Sequence, residues 1–229
     1  MKLKTIIAAI ATLSIAFTSC SKDRDDDFNI PPISGLNIIH ASPTTEKLDV
    51  YVENTRANNT DFAFGNKMGY FSLYSGSRRL VTTKKGSTET LLAEDLVLED
   101  QKAYSLFIYD KFDALKYLLV KDDLTAPSSG KAKVRFVHLS PDAAALNLAI
   151  QGEDTDLFTD KSFKGYTDFV EITPAEKVTF VIKNKADGSV AATLDNVKIE
   201  GNKIYTVWAK GLAAATDNTG LGVEVFEHR

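Results

Sequence analysis

Scarcity is the first thing this chain shows. Among 229 residues there is one cysteine, Cys20. That excludes a disulfide within the protein, and with it a zinc site built on two or four thiolates. Histidine occurs three times, at His40, His138 and His228. Zinc asks for three or four ligands, and the carboxylates nearest His40 (Glu46, Asp49) and His138 (Asp142) do not correspond, so no metal and no cofactor is expected. No G-x-G-x-x-G, Walker, EF-hand or H-E-x-x-H pattern is present, and no Ser sits in a G-x-S-x-G elbow. Beyond the N-terminal segment no apolar run approaches the ~18 residues of a spanning helix.

What is present begins at the N-terminus. Lys2 and Lys4 precede an apolar stretch, 6–17, and the small residues Thr18 and Ser19 stand directly before Cys20. These are the parts of a secretory signal, with an apolar run too short to span a bilayer. A lone cysteine at such a site resembles the lipobox of bacterial lipoproteins, although Phe17 stands where leucine is usual. That resemblance implies lipidation of Cys20 as the first mature residue. The following Ser21-Lys22-Asp23-Arg24-Asp25-Asp26-Asp27 resembles the acidic export signal of Bacteroidota lipoproteins, with Lys22, Asp23, Asp25 and Asp26 as its charged residues. Losing residues 1–19 removes only Lys2 and Lys4 of the 27 basic residues, leaving 25 against 31 acidic ones. A mildly acidic mature chain argues against nucleic acid as a partner and against polybasic contact with lipid. The membrane is then reached through the anchor on Cys20, which implies an outer-membrane, cell-surface address.

The rest of the chain says the same thing twice. Leu36-Asn37-Ile38-Ile39-His40-Ala41-Ser42-Pro43 is echoed by Val134-Arg135-Phe136-Val137-His138-Leu139-Ser140-Pro141, and Leu48-Asp49-Val50-Tyr51-Val52 by Leu146-Asn147-Leu148-Ala149-Ile150. A unit of about a hundred residues suits a small domain rather than a solenoid repeat. Further β-branched or aromatic runs lie at 79–83, 96–98, 104–109 and 117–121, then at 178–183, 197–199, 204–209 and 222–227, bounded by turns such as Lys85-Gly86-Ser87 and Ala186-Asp187-Gly188. About seven short strands per copy at ten-residue spacing predict an antiparallel sandwich. The expected organisation is a signal peptide (1–19), a lipid-anchored tether (20–34), a first β-sandwich (35–125), a linker (126–131) and a second β-sandwich (132–229). The fold class is all-β.

The repeated His40, Ser42, Pro43 and His138, Ser140, Pro141 invite a catalytic reading and resist it. Two residues apart on a strand, His and Ser project in parallel, and Asp49 of one copy becomes Asn147 of the other. A neutral histidine pinning a turn, hydrogen-bonded to a loop carbonyl or to the Ser hydroxyl, is the expectation. The penultimate His228 and the Asp122-Asp123 pair are expected to be solvated. Phe62, Phe64, Tyr70, Phe71 and Tyr74, and Phe158, Phe163, Tyr166 and Phe169, are expected chiefly in the core, with an exposed subset able to form a ligand platform.

The run Val134-Arg135-Phe136-Val137-His138-Leu139-Ser140-Pro141-Asp142-Ala143, with the apolar strand 146–150 after it, resembles the opening signature of the bacterial family called domain of unknown function 4397. The first copy matches through His40-Ala41-Ser42-Pro43, and the resemblance extends over 36–229 in two copies. It departs at Ala144 and at Thr44-Thr45. It implies an exported, often lipid-anchored, immunoglobulin-like sandwich, and no activity or catalytic residues. The functional expectation is a non-enzymatic binding or adhesion module with a protein or glycan ligand. The alternative is an accessory subunit of an outer-membrane complex; an enzyme is disfavoured.

Overall fold

The first half of the chain supplies eight strands, and their burial explains their order. A computed structural model describes residues 31–228; Cys20, Lys22, Asp23, Asp25 and Asp26 lie outside the described residues. One sheet has the order β4 (Lys67–Tyr74), β1 (Ile33–His40), β7 (Ala103–Tyr109), β8 (Lys116–Asp122). The facing sheet runs β3 (Thr55–Arg56), β2 (Leu48–Val52), β5 (Gly76–Lys84), β6 (Thr90–Leu98). Leu36, Ile38, Leu48, Val50, Leu80 and Leu106 fill the space between them.

The second half repeats the topology. Its sheets are β12 (Val170–Ile172), β9 (Ala132–His138), β15 (Ile204–Lys210), β16 (Gly222–Glu227), and β11 (Phe158–Lys161), β10 (Leu146–Ile150), β13 (Ala175–Asn184), β14 (Val190–Ile199). Val134, Phe136, Leu148, Phe180 and Val207 form the second core. The all-β sandwich expectation holds. Each sandwich departs from pure antiparallel pairing at one place, where β1 runs parallel to β7 and β9 parallel to β15.

Every run read from the sequence falls inside a strand. The four strands that sequence reading did not separate, β3, β4, β11 and β12, are all sheet edges. Three of them, β3, β11 and β12, are only 2, 4 and 3 residues long, too short to show an alternation, whereas the longer edges β6, β8, β14 and β16 are legible. In β4 the period is also broken by a register shift opposite Asn37 and Ile39, with Gly69 at φ +79°.

A third apolar layer joins the two sandwiches. Ile39, Ala41, Phe107 and Val120 from the first meet Val137, Leu139, Trp208 and Phe226 from the second. The central strands are therefore buried on both faces, which is why β7 reads Ala-Tyr-Ser-Leu-Phe-Ile-Tyr with no charged residue. Alternate residues of β1 point to different interiors, Leu36 and Ile38 into the first core, Ile39 into the junction. From Pro31 onward the chain is one compact unit.

Candidate functional site

The repeated motif ends β1 and β9 in parallel fashion and differs in its hydrogen bonds. Nδ1 of His138 accepts the backbone N–H of Ser140 at 3.2 Å, so its proton sits on Nε2, which donates to the Ala144 carbonyl at 3.0 Å. Burial holds its pKa below the usual imidazole value, against the raising effect of that carbonyl. The Ser140 hydroxyl turns away, toward Asp142 at 3.4 Å. Asp142 in turn accepts the N–H groups of Ala213 and Ala214 at 2.7 and 3.1 Å, anchoring the loop between β15 and β16.

His40 is fully buried against Phe62 and Phe64, with ring centroids at 5.5 and 6.4 Å. Burial lowers its pKa to about 4, opposed by the nearby Glu46 carbonyl. That carbonyl lies close enough to act on the imidazole electrostatically but not in hydrogen-bonding geometry, and the Ser42 hydroxyl also lacks a protein partner. Thr44 stands where the second motif has Asp142, which removes the acceptor Ser140 uses. Pro43 is buried and Pro141 half-buried. In neither copy does a serine hydroxyl meet the imidazole.

The polar groups that do converge lie elsewhere, in the junction. Arg135 of β9 and Asp122 of β8 form an ion pair at 2.5 Å, with side chains 1% and 0% exposed. The contact is one of charge rather than a well-directed hydrogen bond at that carboxylate oxygen. Around it the donors and acceptors close a circuit. Arg135 Nε donates to the Thr206 hydroxyl at 2.8 Å, and that hydroxyl, 2.7 Å from Nε2 of His228, has its own proton left to give. Nδ1 of His228 lies 2.7 Å from the Tyr70 phenol, which donates to Asp122 in a short bond. Because the phenol spends its proton on Asp122, Nδ1 of His228 must be the donor to Tyr70 and Nε2 the acceptor from Thr206. Ser105 closes an inner loop, accepting from Arg135 Nη2 at 3.1 Å and donating to Asp122 at 2.9 Å. Phe169 lies 4.8 Å beneath the guanidinium.

These positions correct two expectations. His228 is buried rather than exposed, because its backbone N–H extends β16 by bonding the Ile204 carbonyl at 2.9 Å and carries the ring into the junction. Asp122 is buried rather than solvated, while its neighbour Asp123 faces outward to Lys133 at 3.1 Å, the alternation of a strand end. Burial first, then the positive Arg135 and Lys67, lower the His228 pKa to about 3. Burial and the Asp122 charge push the Tyr70 phenol far up. A neutral imidazole and a protonated phenol are what the circuit requires.

Two openings lead toward this ring. A groove of about 860 Å³ is lined by Ile33, Ser34, Lys102, Lys121, Asp123 and Asp168, with Asp122 at its floor. A smaller cleft of about 160 Å³ beside Tyr166, Asp168 and Phe169 reaches Arg135. Of the aromatics weighed as a platform, Phe62 and Phe158 are core, Phe64 and Phe163 pack at the junction, and Tyr74 and Tyr166 are exposed.

The family model described as Domain of unknown function (DUF4397) matches residues 34–149. The chain belongs to this family. The match covers just over half the chain, from β1 to within β10, so the DUF4397 signature takes in the whole first sandwich and the opening strands of the second. No curated protein sequence matches this DUF4397 chain. Among solved structures, the C-terminal domain of AlgF from P. aeruginosa is 20% identical, covers 43% of this chain and 98% of its own, and has a TM-score of 0.32. A family CBM26 module, CBMbc of Eubacterium rectale Amy13K, solved with maltoheptaose, is 12% identical over 85% of this chain and 97% of its own, TM-score 0.28. A putative adhesin from Bacteroides ovatus is 11% identical over 86% and 94%, TM-score 0.23. Likenesses at these scores carry no argument about function.

Proposed function

We propose that this DUF4397 protein is an exported, non-enzymatic binding module, tethered to the outer membrane through a lipid on Cys20 and presenting its two sandwiches at the cell surface. The observation that carries the binding reading is the division of labour at the junction. The ionisable side chains that resemble catalytic equipment, Arg135, Asp122 and His228, are at most 1% exposed and spent on each other, whereas the open groove beside them carries Lys102, Lys121, Asp123 and Asp168 on its walls. The first sandwich and the segment leaving it wall this groove, with Asp168 added from the second, and concave sites with a few convergent polar groups are favoured places for ligands. A mixed-charge lining with few aromatic faces suits a polar ligand, a protein segment or a glycan, and not nucleic acid. The duplicated motif and the matched topology support reading the second sandwich as a second family unit.

Two measurements test this. Metabolic labelling with an alkyne fatty acid should mark the wild-type chain and not Cys20→Ser; equal labelling of both would remove the anchor. Affinity capture from detergent-solubilised outer membranes, with mild cross-linking, should recover a ligand that the groove variant Lys102→Glu/Asp168→Lys loses. Capture unaffected by that variant would dissociate binding from the groove. A stoichiometric protein partner held at another face would instead favour the accessory-subunit reading.

A further inference from the structure

The matched topology assigns each residue of the ring an equivalent in the opposite sandwich. In the first, Leu36 pairs with Tyr104 and Asn37 with Ser105; in the second, Val134 pairs with Tyr205 and Arg135 with Thr206. Both tyrosines accept a backbone N–H from five residues upstream, Glu99 and Glu200, at 3.1 Å, which fixes the alignment independently. Ala103 faces Asp122, and Ile204 faces His228 through its carbonyl. Asn37 pairs with Tyr70 across β4, and extending the β9–β12 register one residue from Val134 and Val170 sets Arg135 beside Phe169. Asn37, Tyr70, Ser105 and Asp122 therefore occupy the places of Arg135, Phe169, Thr206 and His228.

The apolar positions around the ring are alike in the two faces: Ile39 and Val137, Ala41 and Leu139, Phe107 and Trp208, Val120 and Phe226. All four pairs are apolar, so hydrophobicity alone does not distinguish a face from its opposite, although the second face carries the larger residue at three of them, Leu139, Trp208 and Phe226. The polar positions differ in sign. Two first faces brought together would bury two Asp122 carboxylates with no guanidinium, and two second faces would bury two Arg135 guanidiniums with no carboxylate. An uncompensated buried charge is strongly unfavourable, whereas a paired one near breaks even.

We propose that this ring is a recognition device which makes each sandwich face accept only the opposite one, its partner being the other half of the same chain. The apolar layer supplies adhesion, and the Asp122–Arg135 pair with its Tyr70–His228 link supplies the choice of partner. This rests on the junction alone and is independent of lipidation and of the groove.

The test is carried out on the full chain by exchanging residues between equivalent positions. A half-exchange, Arg135→Asn/Phe169→Tyr/Thr206→Ser/His228→Asp, sets a first-type face against a first face. A full exchange adds Asn37→Arg/Tyr70→Phe/Ser105→Thr/Asp122→His and rebuilds the ring with its halves transposed. Thermal unfolding and Trp208 emission, which reports the junction because Trp208 is fully buried there, are read on both variants. The half-exchange should open the junction at least ~100-fold more often, the consequence of two unpaired buried carboxylates. The full exchange should recover most of that loss. A half-exchange as closed as wild type shows that the ring does not select. A full exchange no better than the half, including failure of both to fold, shows that the positions are not equivalent. Either result overturns the proposal.

Discussion

At the scale of single residues, the three histidines act as buried neutral groups, and that has a pH consequence with a definite sign. Burial lowers the pKa of His40 to about 4 and of His228 to about 3, and lowers that of His138. In the unfolded chain each takes up a proton near its ordinary value of ~6.5. Below that pH the unfolded state binds more protons than the folded state, so stability should fall progressively from about pH 6.5 to between 4 and 3, and be independent of these groups above pH 7. Urea midpoints measured from pH 8 to 4 check this; a flat profile from 7 to 5 would contradict neutral burial. Substituting His138→Ala leaves the Ala144 carbonyl and the Ser140 N–H without their partner, and should lower stability by ~1–3 kcal/mol. Ligand capture should survive wherever the fold does. Unchanged melting with lost capture would move His138 from the scaffold to the site.

At the scale of elements, the turns and edges carry the constraints that strand pattern alone does not reveal. Gly211 follows β15 at φ +86°, and a Cβ there would lie 2.0 Å from the Gly220 carbonyl oxygen. Gly188, in the β13–β14 turn at φ +72°, has open space around it. Gly211→Ala should therefore cost at least ~3 kcal/mol, a backbone clash added to the left-handed conformation, whereas Gly188→Ala should cost only ~1 kcal/mol. Thermal melts of the two variants side by side decide it, and equal losses would refute the close approach. The same elements show where reading the sequence succeeds. Interior strands such as β7 and β15 are legible because burial on both faces leaves continuous apolar runs. The strands β3, β11 and β12 are not, since at 2, 4 and 3 residues they are too short to show a period, and β4 is not because a register shift breaks its alternation; the longer edges β6, β8, β14 and β16 remain legible.

At the scale of the whole molecule, the buried junction couples the two sandwiches. Far-UV circular dichroism and the emission of Trp208, the only tryptophan, should report one coincident unfolding transition. Trp208 emission shifting before strand signal is lost would mean that the junction opens as a separate step. How much of this was legible follows from the range of each interaction. Strand alternation, turn residues and the repeated His-x-Ser-Pro motif are local, so the all-β class and the repeated strand pattern can be read directly from the chain. The ring was hidden. Its members lie in five separate strands and at the penultimate residue, and each looks ordinary alone: an arginine in an apolar strand, an aspartate in an acidic doublet, a histidine near the end. Arg135 was a signal in plain view, a charge set between the apolar Val134 and Phe136 of β9. Composition and periodicity determined which strands form and which of their residues avoid water. Only the tertiary structure decided that two faces of the same design meet each other, because the pairing of Asp122 with Arg135 depends on bringing together sheets whose partners are remote in sequence, and no local pattern encodes that approach.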